Sequence, residues 1–215
     1  GEKLSGLAIE FPHGLGAALG RPLVFVETPT SNLIDALLAD KADIIMSGYS
    51  VDRLRLVRVS FCHPYLRIGE MALCRRAELS IFANNANLQN VRVNMGVAAG
   101  TTGDMLAASQ FSFAGRQTFP SYADAVKALL DKKVDLILAD YPVAVWLSAE
   151  NEATVAVVPE LLSQEDLAWA VRKDDDALRE SANAYLDDLH KNGKLAEMIA
   201  KWVPDASPQS IAPSS

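Results

Sequence analysis

The chain has 215 residues, half of them hydrophobic and 22% charged, with a net charge of −7 at neutral pH. That is the composition of an ordinary globular protein, long enough for one large domain or two small lobes. The acidic balance argues against a surface of clustered Lys and Arg for nucleic acid. No stretch approaches the roughly 18–20 uninterrupted apolar residues of a membrane span; even residues 134–147 carry Asp135 and Asp140.

The sequence starts at Gly1 without an initiator Met, a basic region or an apolar leader, as a processed product or a fragment does. Residues 23–28, LVFVET, read as a strand ahead of a helix. Residues 33–50, LIDALLADKADIIMSGYS, read as the end of an amphipathic helix, a charged turn and an aliphatic run suited to a buried parallel strand. Cys62 and Cys74 are too few for a disulfide scaffold, and their spacing matches no metal site, so buried free thiols are preferred to a disulfide. Residues 91–101, VRVNMGVAAGT, read as a strand ending in Gly and Thr before a helix over residues 104–110. Residues 165–174 contain a further strand. Residues 177–203 read as two helices broken at Asn192-Gly193, where glycine supplies the cap. The tail, residues 204–215, has three Pro and four Ser and reads as a linker or a poorly ordered end.

An internal repeat organises these elements. Residues 33–50 align with residues 125–142, AVKALLDKKVDLILADYP, at a constant offset of 92, with seven identities in eighteen positions. Ala36, Leu37, Leu38, Lys41, Asp43, Ile45 and Tyr49 recur as Ala128, Leu129, Leu130, Lys133, Asp135, Ile137 and Tyr141. A period of that length indicates a duplicated lobe rather than a solenoid. Two α/β lobes of similar construction follow. Ligands in open parallel sheets sit beyond the carboxyl ends of strands. The repeat therefore points at Ser47, Gly48 and Ser50 in one lobe and Asp140 in the other, facing a cleft.

Enzyme signatures are sparse: GxSxG, HExxH, GxxxxGK[ST] and GxGxxG are absent, and His13, His63 and His190 are scattered. No catalytic residue, cofactor or metal is expected. His63 would be a general base only with a partner that the sequence does not name; a polar residue beside a hinge is the preferred reading. Small-ligand recognition groups are better represented. SGYSVDRLR, residues 47–55, offers backbone N–H groups, a hydroxyl and a guanidinium that matches a carboxylate in bidentate fashion. AAGTTGD, residues 98–104, places N–H groups at a helix start, which favours an anion. Asp140 suits an ammonium group. Together these groups describe a site for a zwitterion. Taken singly, Arg55 also reads as a solvated helix residue, Thr101 as an N-cap and Asp140 as a cap for the next helix.

At these residues the chain resembles the family 3 extracellular solute-binding proteins, which capture polar amino acids for bacterial ABC importers. The likeness runs over residues 6–202, through FVETPTSNLIDALLADKADIIMSGYSVDRLRLVRVSFCHPY, MGVAAGTT, VDLILAD and the closing Lys201-Trp202. It implies a type II periplasmic binding protein-like α/β fold. Lobe 1 would comprise residues 1–66 and 167–203 and lobe 2 residues 67–166, with crossings near residues 65–69 and 165–167. It implies a monomeric periplasmic or otherwise extracytoplasmic protein that takes an amino-acid-like ligand between its lobes and hands it to a membrane permease. Arg55 matches the carboxylate clamp because it lies six positions before Phe61, whereas Arg53 does not hold that place. Ser50 and Gly48 match ligand-contacting loop groups, Thr101 and Thr102 the second-lobe carboxylate donors, and Asp140 the ammonium acceptor. The family's first strand would precede Gly1 and is absent from the sequence, the usual aromatic is missing at Pro29 or Thr30, and Asp52 and Cys62 stand where Thr and Ser are common. Two alternatives share the scaffold: a cyclohexadienyl dehydratase-like enzyme, with His63, Glu70 or Asp52 as its general acid, and the ligand-sensing module of a membrane receptor.

Overall fold

A computed structural model describes residues 6–83, 88, 92–111 and 114–203. The tail, residues 204–215, lies outside them. The described residues divide into two compact units. Unit 1 takes those in Gly1–Thr28, Asn32–Arg67 and Glu165–Ser215, and unit 2 those in Pro29–Ser31 and Ile68–Gln164. Among the described residues, no helix is long and apolar enough to cross a membrane.

Unit 1 opens on α1 (Leu7–Leu19), which Gly20 ends in the left-handed conformation that glycine adopts without strain. It continues through α2 (Leu33–Leu38), β1 (Ile44–Ile45), α3 (Arg53–Arg58), β2 (Ser60–Phe61) and β3 (Leu66–Ile68), whose last residue begins unit 2. After unit 2 the chain returns as β9 (Glu165–Leu167), β10 (Ala170–Val171), α8 (Asp176–Lys191) and α9 (Lys194–Trp202). Asn192 caps α8 and Gly193 adopts φ 78°, so the expected break between two helices falls at that pair. The small sheet has the order β1-β10-β2, with both pairings antiparallel. Phe11 packs edge-on against Tyr65 and Trp169 at 5.1 and 5.3 Å, and Trp169 stacks on Tyr185 at 6.2 Å. Trp202 Nε1 and Lys201 Nζ donate to Glu10 Oε2 at 2.6 and 2.9 Å, tying α9 to α1. Hydrogen bonds from Lys201 and then Trp202 hold the Glu10 carboxyl below its usual range.

Residues 23–28 correct the sequence reading, because they form no strand. Leu23, Val24, Phe25 and Val26 are all exposed, Val24 at 78%. An apolar β-prone run becomes a strand only when a neighbour pairs with its backbone and covers its face. Among the described residues, the β1-β10-β2 sheet of unit 1 supplies no such neighbour to this run. The strand expected to be parallel after the first repeat, β1, likewise shows antiparallel pairing to β10.

Unit 2 contains β4 (Glu70–Arg75), α4 (Leu79–Ala83), β5 (Asn94–Ala98), α5 (Thr102–Gln110), β6 (Gly115–Phe119), α6 (Tyr122–Leu130), β7 (Leu136–Asp140), α7 (Tyr141–Glu150) and β8 (Val155–Leu161). Its sheet has the order β6-β5-β7-β4-β8. β5 runs parallel to β6 and β7, while β4 runs antiparallel to β7 and β8. Strand β7 is covered on both faces, which explains its unbroken aliphatic sequence. Leu136 and Leu138 enter one core with Met95, Val97, Leu106 and Phe111, and Ile137 and Ala139 enter another with Ala125, Leu129 and Ala144. Because β5 and β7 are parallel and β4 is antiparallel, the carboxyl ends of the first two meet the amino end of β4 at one edge of the sheet.

The repeat survives bond for bond in its turns. Lys41 N donates to Ala36 O at 3.0 Å and Asp40 N to Leu37 O at 3.3 Å; Lys133 N donates to Ala128 O at 2.9 Å and Lys132 N to Leu129 O at 3.1 Å. This is the Schellman pattern of a helix end. Asp40 and Lys132 both take the left-handed conformation, at φ 56° and 59°. In each unit an arginine at the end of an antiparallel strand (Arg75, last in β4) or just after one (Arg172, following β10) grips the same two carbonyls. Arg172 Nη1 donates to Leu37 O and Ala42 O at 3.1 and 2.9 Å. Arg75 Nη1 donates to Leu129 O and Val134 O, both at 2.7 Å.

Candidate functional site

The expected recognition groups fall into two sets, one in each unit. In unit 1 the residues after β1 are laid along residues 166–168 by backbone bonds: Ala168 N donates to Tyr49 O at 3.1 Å and Val51 N to Asp166 O at 2.8 Å. Ser50 forms an antiparallel bridge with Leu167 and is 2% exposed. Asp52 then caps α3, accepting from Leu54 N at 2.7 Å and Arg55 N at 3.3 Å. Capping explains an aspartate at this place as well as a threonine would, and it engages the side chain that the enzyme reading offered as an acid.

The cap starts a helix that turns Arg55 inward while Arg53 stays exposed. Arg55 is 5% exposed, so it is no solvated helix residue. Its Nη1 donates to Ser50 O at 2.7 Å, and its Cζ lies 3.9 Å from the centre of the Tyr49 ring. Tyr49 in turn stacks on Phe61 at 6.1 Å. Burial pushes the Tyr49 phenol up, against the opposing effect of Arg55. A guanidinium carries five donors in a fixed fork, and this one is held by stacking on a ring and a carbonyl bond. Gly48 is exposed, and a Cβ there would meet only Leu167 Cδ1 at 3.6 Å. Its backbone does not need glycine, whatever a ligand requires.

In unit 2 the expected site residues sit at the sheet edge where β5 and β7 end. Thr101 Oγ1 donates to Ala98 O at 2.8 Å and accepts from Asp104 N at 3.3 Å, capping α5. Gly100, at φ +76°, comes so close to the Ser31 backbone that a Cβ would lie 2.7 Å from Ser31 Cα. Thr102 Oγ1 donates to Glu70 Oε1 at 2.9 Å. With both hydroxyl protons directed inside the unit, the amide N–H groups of the first turn of α5 are the better donors for an anion. Asp140 occupies the cap position of α7, but its side chain makes no capping bond. In the β4–β7 ladder Asp140 stands directly opposite Glu70.

Glu70 is 0% exposed, and its link to Thr102 could not be read from the sequence. Tyr49 was legible as half of a repeated pair, Tyr49 and Tyr141, yet its stacking under Arg55 was not. The other sequence candidates lie elsewhere. His63 Nδ1 is 3.1 Å from Asp187 Oδ1, and its backbone N donates to Asn183 Oδ1 at 2.7 Å, so α8 supplies the orienting carboxylate that the sequence did not name. Cys62 and Cys74 are free and buried, with burial pushing their thiols to about 12 and about 11.

The two α/β units have the type II periplasmic binding protein-like fold of the solved structures that the chain resembles. The chain belongs to the bacterial extracellular solute-binding proteins, family 3, whose model matches residues 1–205. It is 24% identical over 200 residues to the L-cystine-binding protein TcyJ of Escherichia coli, covering 93% of this chain and 74% of that one. It is 25% identical over 200 residues to the cyclohexadienyl dehydratase of Pseudomonas aeruginosa, again covering 93% of this chain and 74% of that one. Among solved structures, a mutant of ArgBP from T. maritima is 30% identical, with a TM-score of 0.85 over 93% of this chain and 86% of that one.

Proposed function

We propose that this chain binds an amino acid reversibly, as the periplasmic or otherwise extracytoplasmic component of an ABC importer, and delivers it to a membrane permease. In this reading Arg55 takes the ligand carboxylate, assisted by Ser50 and Gly48. The first turn of α5 at Thr101 and Thr102 supplies further donors, and Asp140 takes the α-ammonium. The observation that carries the reading is the state of Arg55: 5% exposed, stacked on Tyr49 and bonded to the Ser50 carbonyl. A planar guanidinium held in one orientation presents its donor fork to a carboxylate, which accepts two parallel bonds from it. The family and the arginine- and cystine-binding proteins that resemble the chain support the same class of ligand.

A thermal-shift panel of the twenty amino acids, with small organic acids and prephenate alongside, tests the proposal. At a ligand concentration of about 100 times Kd, stabilisation is about 2.7 kcal/mol, a shift of several degrees. At least one amino acid is expected to give it, and prephenate is expected to be left unconverted. A flat panel, or turnover of prephenate, overturns the reading.

A further inference from the structure

We propose that residues 21–27 are a self-association edge, at which two copies of this chain pair antiparallel to form a two-fold dimer. The inference concerns a surface of unit 1 apart from the ligand groups and does not rest on the ligand reading. Where the family likeness implies a monomer, this run is unlike an ordinary surface segment. Leu23, Val24, Phe25 and Val26 are exposed in succession, and no charge interrupts residues 22–26. Natural proteins place charges on strand edges that are to stay apart.

The run already has the side-chain arrangement of a strand. Leu23 and Phe25, two positions apart, both touch α1: a Cβ at Gly16 would lie 3.8 Å from Leu23 Cβ, and the centres of the Phe25 and His13 rings are 5.8 Å apart. Val24, between them, is the most exposed of the four apolar residues. That is the period-two alternation of an extended chain. Its β-branched and aromatic residues suit a strand and α1 covers one face, so a paired backbone is what remains to be supplied.

The sequence of the run selects its partner. Read antiparallel about Val24, residues 21–27, RPLVFVE, set Arg21 opposite Glu27 of the second copy, Pro22 opposite Val26, Leu23 opposite Phe25 and Val24 opposite itself. Each charge meets its opposite and each apolar residue another apolar one. The phase of the ladder follows too. With Val24 at a non-hydrogen-bonded position, Leu23 and Phe25 exchange N–H and C=O bonds across the axis, while Pro22 and Val26 turn their peptide groups away. Pro22 has no N–H to give, and the Val26 carbonyl already accepts from Thr28 Oγ1 at 3.4 Å. The opposite phase would need that missing donor to serve that carbonyl. Arg21 N is committed to Gly16 O at 3.0 Å, which ends the ladder there. An isologous contact of this kind closes at two copies.

Sedimentation of the 215-residue chain tests the pairing. A ladder this short buries little area, so association is expected to be weak, rising toward twice the mass of one chain between about 10 and 500 μM. Val24→Lys sets two like charges on the axis and is expected to weaken association by about tenfold or more. The position is exposed, so circular dichroism should show an unchanged fold. Arg21→Glu and Glu27→Arg each set like charges opposite one another, and each alone is expected to associate about fivefold less tightly than the parent. An equimolar mixture of those two variants restores opposite charges and is expected to associate as the parent does. A parent that keeps the mass of one chain at about 500 μM overturns the proposal, as does growth past two copies. A dimer that Val24→Lys leaves intact, or a mixture no tighter than its components, overturns it too. A protein that dimerises in this way yet binds no amino acid upholds the pairing and overturns only the ligand reading.

Discussion

Arg75→Ala is expected to destabilise unit 2 by about 3–5 kcal/mol, seen as a fall in the urea midpoint with the slope unchanged. The side chain is only 13% exposed. It donates to the Leu129 and Val134 carbonyls and pairs with Glu78 at 2.9 and 2.8 Å and with Asp135 at 3.3 Å. Removing it takes a donor from two carbonyls of buried residues and from two acidic groups; the Leu129 carbonyl keeps Lys132 N and Asp135 keeps Asn94 N, while each buried acceptor left unsatisfied costs about 1–3 kcal/mol. Arg75→Lys keeps the charge but lacks the planar fork that reaches all four partners, so an intermediate loss is expected. Arg172→Ala should cost less, about 2 kcal/mol, because the arginine's partners Asp40 and Asp43 are 82% and 86% exposed and their ion pairs are screened. A change below about 0.5 kcal/mol at Arg75 would remove the idea that the turn between α6 and β7 is held from the neighbouring strand.

Arg55→Ala is expected to weaken amino-acid binding by about a hundredfold or more while the protein still folds. The Tyr49 ring, the Ser50 carbonyl and the Asp52 cap hold the guanidinium in one place before any ligand arrives, so little ordering is left for the binding step. Arg55→Lys should recover only part of the loss, since an ammonium neither stacks on Tyr49 in the same way nor forms two parallel bonds. Calorimetry against the strongest ligand of the panel measures the effect, and circular dichroism checks the fold. Affinity within threefold of the parent would place the carboxylate elsewhere.

How much of this was legible depended on where the determining partner lay. The turns after α2 and α6 are encoded by residues within a few positions of one another, so their repeat is visible as Ala36, Leu37 and Lys41 against Ala128, Leu129 and Lys133. The arginines that hold those turns are not. Arg75 and Arg172 are 97 positions apart rather than 92, and each acts on a turn more than fifty residues away. Residues 23–28 have the composition of a strand, but pairing decides strands, and composition does not report the partner. Asp52 looked like a departure from its family until the structure showed it capping α3. Glu70 stood out only as a general-acid candidate of the enzyme alternative, because its burial against Thr102 and Gly103 depends on the antiparallel placement of β4 beside β7.

The central claim is that this chain recognises an amino acid through its carboxylate at Arg55. Its most direct test compares, by calorimetric titration, the strongest panel ligand with the same molecule carrying an α-carboxamide. The account predicts one-to-one binding of the acid and a loss of about a hundredfold or more for the amide in the parent, with Arg55→Ala erasing most of that difference. Equal binding of acid and amide by the parent would contradict it.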